Sequence, residues 1–314
     1  MKTFAPGKLV LTGAYAVLEG APAVSVAVSR GALVDSERIA LAATIEVAAA
    51  LGEGAPAPHA DASSMFVGTR KLGLGASAAI LVASIGAVEA AAGADLLACD
   101  VRTRIFARAK EAHAVAQSGG SGVDVATSVF GGAIRYTIGA PVEAVVLPAG
   151  LVLTVFACGT SARTSELRAQ IDAMGAANPT LHRSCLTELV AVANDAGEAV
   201  AQGSADRLVA ALRRTARSLD RLGVAADVPI VPAGFDALEA IALREHASFT
   251  VSGAGGGDVA VFLGRTAPSI AFLEHAHSLG LFVLPLSLDD AGVRRATSDP
   301  PRAFKLSEPL PGQT

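Results

Sequence analysis

Short apolar and β-branched runs open the chain. Leu9 to Thr12 and Val24 to Val28 are bounded by Gly and Pro, a pattern that predicts neighbouring strands near the N-terminus. Between Glu46 and Arg70 the middle of the segment reads as loop. Helical spacing returns at about 77–94, in a run made almost wholly of Ala, Ile, Leu and Val, and at about 100–117. Asp100 stands as a candidate cap for the second of these helices, whose Arg and Lys residues gather on one side. A glycine-dense turn, QSGGSG, leads into another helical stretch, and AIRYTI reads as a strand. The first half therefore mixes strands and helices.

Gly139 to Gly150, with Pro141 and Pro148, interrupts the pattern and predicts a boundary between a domain at about 1–148 and one at about 149–298. Beyond it LVLTVFA reads as a strand, and helices are predicted at about 164–175, 180–202, 205–222 and 233–243. SFTVSGAGGGDVAVFLG then gives strand, glycine loop and strand in succession, and LFVLPLSL a further strand. The proline-rich end, about 299–314, reads as a flexible tail.

Composition adds bounds. With 314 residues, 52% of them hydrophobic, and a mean hydropathy of +0.49, the chain can bury a large core and fill two domains. Aromatic residues are only 4% and Trp is absent, so the core is expected to be packed from Ala, Val, Leu and Ile. Platforms for stacking bases have little material. A net charge of −4 and a pI near 5.9 also argue against a nucleic-acid surface, which needs a clustered basic field. An anionic small-molecule partner is compatible with that balance if a few cations are focused at one place.

MKTFAPGKLVLTG lacks the apolar run of a signal peptide, and no window reaches the roughly 18 uninterrupted apolar residues of a membrane span, so a cytoplasmic protein without a membrane partner is expected. Cys99, Cys158 and Cys185 show no metal spacing and read as reduced, buried thiols. None of the histidines forms an HExxH arrangement. His275 and His277 read as the solvated flank of a helix.

Candidate chemistry concentrates in three glycine-rich loops: APGKLVLTGAYAVLEG at 5–20, KLGLGASAA at 71–79 and SGAGGGDVAVFLG at 252–264. Taken singly, KLGLGASAA has two readings. It is either a tight loop leading into a buried helix or an anion site, in which free N–H groups of the first helical turn and the helix dipole hold a phosphate while glycines let it approach. Taken in order, the three loops resemble the signature motifs of the GHMP superfamily of small-molecule kinases, which includes galactokinase, homoserine kinase, mevalonate kinase and phosphomevalonate kinase. Within it the chain is most similar to the phosphomevalonate kinases. AHAVAQSGGSGVDVATSVFGG at 112–132, GTSARTSEL at 159–167, SLDRLGVAADVPIVP at 218–232 and GLFVLPLSLDDAGV at 280–293 extend the likeness over nearly the whole chain.

The resemblance implies a two-domain α+β fold with the active site in the cleft between the domains, and ATP with Mg²⁺ as cofactors. It makes Lys71, Gly73, Leu74, Gly75, Ala76, Ser77 and Ala78 the phosphate cradle, with the Ser77 hydroxyl also reaching the metal. Such kinases usually carry two serines where this chain has Ala76 and Ser77. Asp124 aligns with the superfamily's catalytic aspartate and Lys8 with the lysine that pairs with it. A carboxylate can take a proton from the attacking group, while a nearby ammonium keeps it ionised. Asp124 also reads as the N-cap of the following helix, and Lys8 as a solvated lysine at a strand end.

Ser121, Gly122, Gly255, Gly256 and Asp258 fall in motifs expected to line the substrate, although Asp258 also reads as a turn-stabilising residue. The consecutive glycines of the third loop are better explained by a main chain packed on phosphates or on the first loop than by a hairpin. His113 stands where mevalonate kinases have a metal-binding glutamate and phosphomevalonate kinases a histidine; it also reads as a satisfied helix histidine. Gly119 replaces a lysine usual in the phosphomevalonate kinases, and Arg163 is the candidate cation in its place, because a guanidinium grips phosphate bidentately. The expected partners are ATP and a small anionic acceptor, with the protein a monomer or homodimer. Mevalonate kinase, an ATP-dependent decarboxylase of the same fold and a non-catalytic nucleotide-binding protein are the competing readings.

Overall fold

The computed structural model describes residues 1–116, 119–159 and 164–296. In chain order they form β1 (Lys2–Thr12), β2 (Ala23–Ile39), α1 (Ile45–Leu51), β3 (Pro58–Asp61), β4 (Phe66–Val67) and β5 (Arg70–Lys71). Then come α2 (Ala76–Ala91), α3 (Cys99–Ala116), α4 (Val123–Phe130), β6 (Ala133–Tyr136), β7 (Glu143–Val145) and β8 (Val152–Ala157). The remainder is α5 (Thr164–Ala177), α6 (Pro179–Ala201), α7 (Ala205–Ala226), α8 (Phe235–Arg244), β9 (Ser248–Val251), β10 (Val259–Gly264), α9 (Ile270–Ser278), β11 (Phe282–Leu284) and β12 (Arg294–Arg295). The architecture is α+β.

The chain divides into two compact units, the first made of Met1–Lys8, Ala27–Gly131 and the segment from Leu288, the second of Leu9–Val26 and Gly132–Ser287. In the first unit α2 is the central helix. It is apolar on every side, and Ala78, Ala79, Leu81, Val82, Ala83 and Ile85 are all buried, as expected of a helix surrounded by protein. Helices α1, α3 and α4 pack against it. Residues Thr3 and Phe4 of β1 pair antiparallel with β12, and Leu33–Ile39 of β2 pair with β3 through a register shift.

In the second unit β11, β8, β10 and β9 form an antiparallel sheet covered by the α6–α7 pair and by α8. Phe156, Phe235, Phe249, Phe262 and Phe272 meet there, with neighbouring ring centroids 5.0–6.0 Å apart. The core is thus not aliphatic throughout: the few aromatics are concentrated in one cluster, where edge contacts add to burial.

Several expectations change. Both N-terminal strands are much longer than the apolar runs that announce them. Strand β2 continues through Arg30 and Gly31 because their polar groups are satisfied: Arg30 Nη1 donates to the Ser64 carbonyl at 3.1 Å, and the Ser64 hydroxyl donates to the Gly31 carbonyl at 2.9 Å. Residues 45–51, for which the sequence predicts no element, form α1, whose N-cap Thr44 accepts from the Val47 N–H at 3.3 Å. Asp100 is no cap, since α3 already begins at Cys99; its carboxylate instead pairs with Arg104 one turn on, at 2.8 Å. Cys158 and Cys185 are buried, but Cys99 is exposed. Among the described residues no helix is long and apolar enough to cross a membrane. The segment from 297 onward lies outside the described residues.

Candidate active site

The second glycine loop is built to leave a helix end open. Gly73 and Gly75 both have positive φ, +67° and +80°. Gly75 occupies the N-cap of α2, and no side chain caps the helix. The N–H groups of the first turn have no carbonyl behind them to bond, so they and the helix dipole present a positive end. Leu74 and Ala78 turn their side chains into the core, at 1% and 0% exposure, so only their backbone is on offer to a ligand.

Lys8 is bound to this loop twice. Its N–H donates to the Leu74 carbonyl at 2.8 Å and its Nζ to the Gly73 carbonyl at 3.3 Å. The aliphatic stem lies over Gly75, where a Cβ would sit 3.1 Å from Lys8 Cγ. A side chain at Gly75 is therefore opposed both by its left-handed backbone and by the lysine. Lys71, on β5, is exposed.

The third element is α4. Its N-cap is Gly122, in the left-handed conformation, so Asp124 lies inside the first turn and is not the cap. Just ahead, the Ser121 hydroxyl accepts from the Val123 N–H at 3.3 Å. Asp124 Oδ1 accepts from the Val125 N–H at 2.9 Å, while Oδ2 stands 3.6 Å from His113 Nε2. His113 is buried, with its Nε2 lacking a hydrogen-bond partner. It is therefore not the satisfied helix histidine that the sequence allowed. A buried imidazole nitrogen aimed at a carboxylate but not yet bonded to it is poised to steady that group. Helix α4 is tied back to β1 by the Ser128 hydroxyl, which donates to the Pro6 carbonyl at 2.7 Å, two residues before Lys8. The first unit thus gathers the open end of α2, Lys8, His113 and Asp124 on elements bonded to one another.

One acidic group at this site was invisible in the sequence. Glu46, in the first turn of α1, accepts a hydrogen bond from the Ser77 hydroxyl in the first turn of α2. The two lie 31 positions apart, and no motif marks Glu46.

In the second unit the third glycine loop packs on the first motif. The Ser252 hydroxyl bonds the Val10 N–H at 3.0 Å, the Gly253 N–H donates to the Val10 carbonyl, and the Tyr15 hydroxyl donates to the Ala254 carbonyl at 2.7 Å. Tyr15 has φ +61°, a strained value for an aromatic residue that its hydroxyl bond and packing maintain. Burial pushes its phenol pKa up. Gly255 admits no side chain, because a Cβ would lie 2.3 Å from the Ile230 carbonyl, the same carbonyl that accepts from the Gly256 N–H. Asp258 uses its backbone carbonyl to accept from Cys158, while its Oδ1 is buried without a partner. Arg163 lies outside the described residues, and Gly119 has φ +110° with open space around it.

The neighbouring serine position separates hydroxyl from backbone. Ser77→Ala is expected to weaken the magnesium dependence of activity, whereas Ala76→Ser, which adds a hydroxyl at the partly exposed first residue of α2, is expected to be tolerated. A Mg²⁺ titration of both variants checks the pair, and an unchanged titration for Ser77→Ala would leave the helix end alone holding the phosphates.

No protein-family model matches the chain. The phosphomevalonate kinase of Streptomyces sp. (strain CL190) is 29% identical to it, over 82% of this chain and 88% of that protein. Among solved structures, the Lin0012 protein from Listeria innocua aligns with a TM-score of 0.80 at 23% identity, covering 95% of this chain and 99% of that one. Streptococcus pneumoniae phosphomevalonate kinase, solved with phosphomevalonate and AMPPNP, aligns with a TM-score of 0.72 at 19% identity, covering 92% and 99%. With an open helix end behind a glycine loop and a lysine and aspartate anchored beside it, the chain has the fold of the GHMP small-molecule kinases. Within that class the proteins to which it is similar include phosphomevalonate kinases, mevalonate kinases, a homoserine kinase and a galactokinase.

Proposed function

We propose that this protein is an ATP-dependent kinase that transfers a phosphoryl group to 5-phosphomevalonate, giving 5-diphosphomevalonate for isoprenoid precursor synthesis by the mevalonate pathway. The observation that supports it most is a site of the required parts, an uncapped α2 with Lys8 and Asp124 on bonded elements, in a chain similar to a phosphomevalonate kinase over most of its length.

Phosphoryl transfer asks the protein for alignment and charge neutralisation more than for covalent work. The first-turn N–H groups of α2 bind phosphate oxygens of the nucleotide. Lys8, fixed by Gly73, places an ammonium where charge develops on the transferring group. Asp124 accepts a proton still carried by the attacking phosphate oxygen, and His113 holds the carboxylate in place. Magnesium, when bound, screens the phosphate charge, and the residues present fit it: the Ser77 hydroxyl and its carboxylate neighbour are hard oxygen donors at the mouth of the cradle.

The test is ADP formation with mevalonate, 5-phosphomevalonate and 5-diphosphomevalonate offered separately, with carbon dioxide measured alongside. Turnover is expected with 5-phosphomevalonate. Preference for mevalonate would assign the chain to the mevalonate kinases, carbon dioxide release to the decarboxylases, and no ADP from any acceptor to a binding protein without turnover. Arg163 is proposed to hold the 5-phosphate. Arg163→Ala is expected to lower kcat/KM for 5-phosphomevalonate about ten- to hundredfold, the scale of a lost charge-assisted contact, with much less effect on any mevalonate turnover. Equal losses on both acceptors would remove Arg163 from the phosphate site.

A further inference from the structure

We propose that Tyr15 is a positioning residue: by holding the Ala254 carbonyl, it aims the Gly255 N–H at an anionic oxygen of the phosphoryl acceptor. The inference rests on the kinase reading above and deepens it.

Tyr15 keeps a backbone shape that an aromatic residue rarely adopts. At φ +61° and ψ −48°, with the Ala16 N–H donating to the Ala14 carbonyl at 2.7 Å, it is the centre of a γ-turn in its rare and strained form. Glycine would enter such a turn without that strain, so what the position gains from tyrosine is the side chain. The ring packs against the core of the second unit, and the hydroxyl donates to the Ala254 carbonyl at 2.7 Å. Because burial raises the phenol pKa, the hydroxyl remains a donor through the working pH range.

The third glycine loop is pinned on either side of that carbonyl. Before it, the Ser252 hydroxyl bonds both the N–H and the carbonyl of Val10, at 3.0 and 3.2 Å. After it, the Gly256 N–H donates to the Ile230 carbonyl at 2.8 Å. Between the pins, the peptide unit joining Ala254 to Gly255 has Tyr15 as its hydrogen-bond partner and no other among the described residues. In a trans peptide the carbonyl and the following N–H point in opposite directions. With its carbonyl drawn to the Tyr15 hydroxyl, this peptide turns the unbonded N–H of half-buried Gly255 the other way, as a donor for an anion. Reversing the peptide would present a carbonyl oxygen to that anion instead. Positive φ at Gly253, Gly255, Gly256 and Gly257 marks a main chain that side chains do not restrain against such a reversal, so the tyrosine hydroxyl selects the orientation that binds.

The experiment measures binding of 5-phosphomevalonate and of ATP, separately and by calorimetry, to the parent protein and to Tyr15→Phe, which keeps the ring and removes the hydroxyl. The variant is expected to bind 5-phosphomevalonate at least about fivefold more weakly, the scale of one lost hydrogen bond, with ATP affinity within about twofold. A smaller loss for the acceptor, or an equal loss for both ligands, overturns the proposal and leaves Tyr15 a structural brace. Mevalonate, run as a further ligand, distinguishes the acceptor's two anionic groups: a loss shared with mevalonate supports a carboxylate contact, and a loss confined to 5-phosphomevalonate supports a phosphate contact. A second measurement needs no variant. With Ala carbonyls labelled by ¹³C and Gly amides by ¹⁵N, NMR reports the Ala254–Gly255 peptide directly, and its N–H resonance is expected to shift when 5-phosphomevalonate is added. An unmoved Gly255 resonance in a protein that binds the acceptor overturns the proposal, and decides the matter if Tyr15→Phe fails to fold. A parent protein that binds neither 5-phosphomevalonate nor mevalonate would instead overturn the kinase reading on which the proposal stands.

Discussion

Asp124→Asn is expected to lower turnover by at least about 10², the scale of a lost general base, while ATP affinity stays within about threefold. The geometry makes this substitution unusually clean. Oδ1 accepts from the Val125 N–H at 2.9 Å, a bond that the amide oxygen of asparagine can also accept, so the first turn of α4 should keep its shape. Gly122, not Asp124, forms the N-cap, and the helix therefore does not depend on the carboxylate for its start. What the variant removes is the charge and the proton-accepting oxygen, Oδ2, which is the one directed toward His113 at 3.6 Å. Steady-state kinetics with ATP and 5-phosphomevalonate, together with the melting temperature, check the expectation. An unchanged fold with turnover within about threefold of the parent would take Asp124 out of the chemistry.

His113 and Asp124 also show where sequence reasoning stops. Both residues stood out by motif, but the sequence offered each a structural duty as well: a satisfied histidine and a helix cap. The fold removes both, leaving a buried imidazole nitrogen without a hydrogen-bond partner and a carboxylate inside the turn that Gly122 begins. Helices α2, α3, α6 and α7 were legible because apolar residues recur through them, and their observed ends differ from the pattern by only a few residues. Strand β2 was not. Its polar interior at Arg30 and Gly31 reads as an interruption until Ser64, more than thirty positions away, supplies the hydrogen bonds. Glu46 was hidden for the same reason. Its meaning comes from a contact with Ser77 that no local pattern encodes, and α1 is stabilised by its cap and by α2 and α3 more than by its own periodicity. The third glycine loop lies between these cases. Its glycines announced a close main-chain approach, and the residues approached, Val10, Tyr15 and Ile230, became identifiable only with the fold.

Lys8→Met is expected to lower kcat by about 10² and to change the KM for ATP by less than about threefold. Methionine retains an unbranched stem, so the packing over Gly75 that Lys8 Cγ and Cε now provide should survive. The backbone bond from Lys8 to the Leu74 carbonyl at 2.8 Å survives any side-chain change, and the loop should keep its register against β1. The variant removes the ammonium and, with it, the bond to the Gly73 carbonyl, 3.3 Å away. A single hydrogen bond between lysine and a loop carbonyl contributes only about 1 kcal/mol to stability, which is too little to disrupt the cradle. In the proposed mechanism the α2 amides and a bound metal would hold the phosphates in the ground state, so one missing cation should cost little binding. As the γ-phosphoryl group separates from ADP, charge shifts onto oxygens that the amides alone do not neutralise, and there the ammonium counts most. Lys8→Arg tests the geometry further. A guanidinium keeps the charge but is planar and bulkier, and beside Gly75 it should recover only part of the rate. If Lys8→Met raised KM for ATP while leaving kcat intact, Lys8 would be a ground-state nucleotide ligand, and the developing charge would have to be met by the helix end and the metal alone.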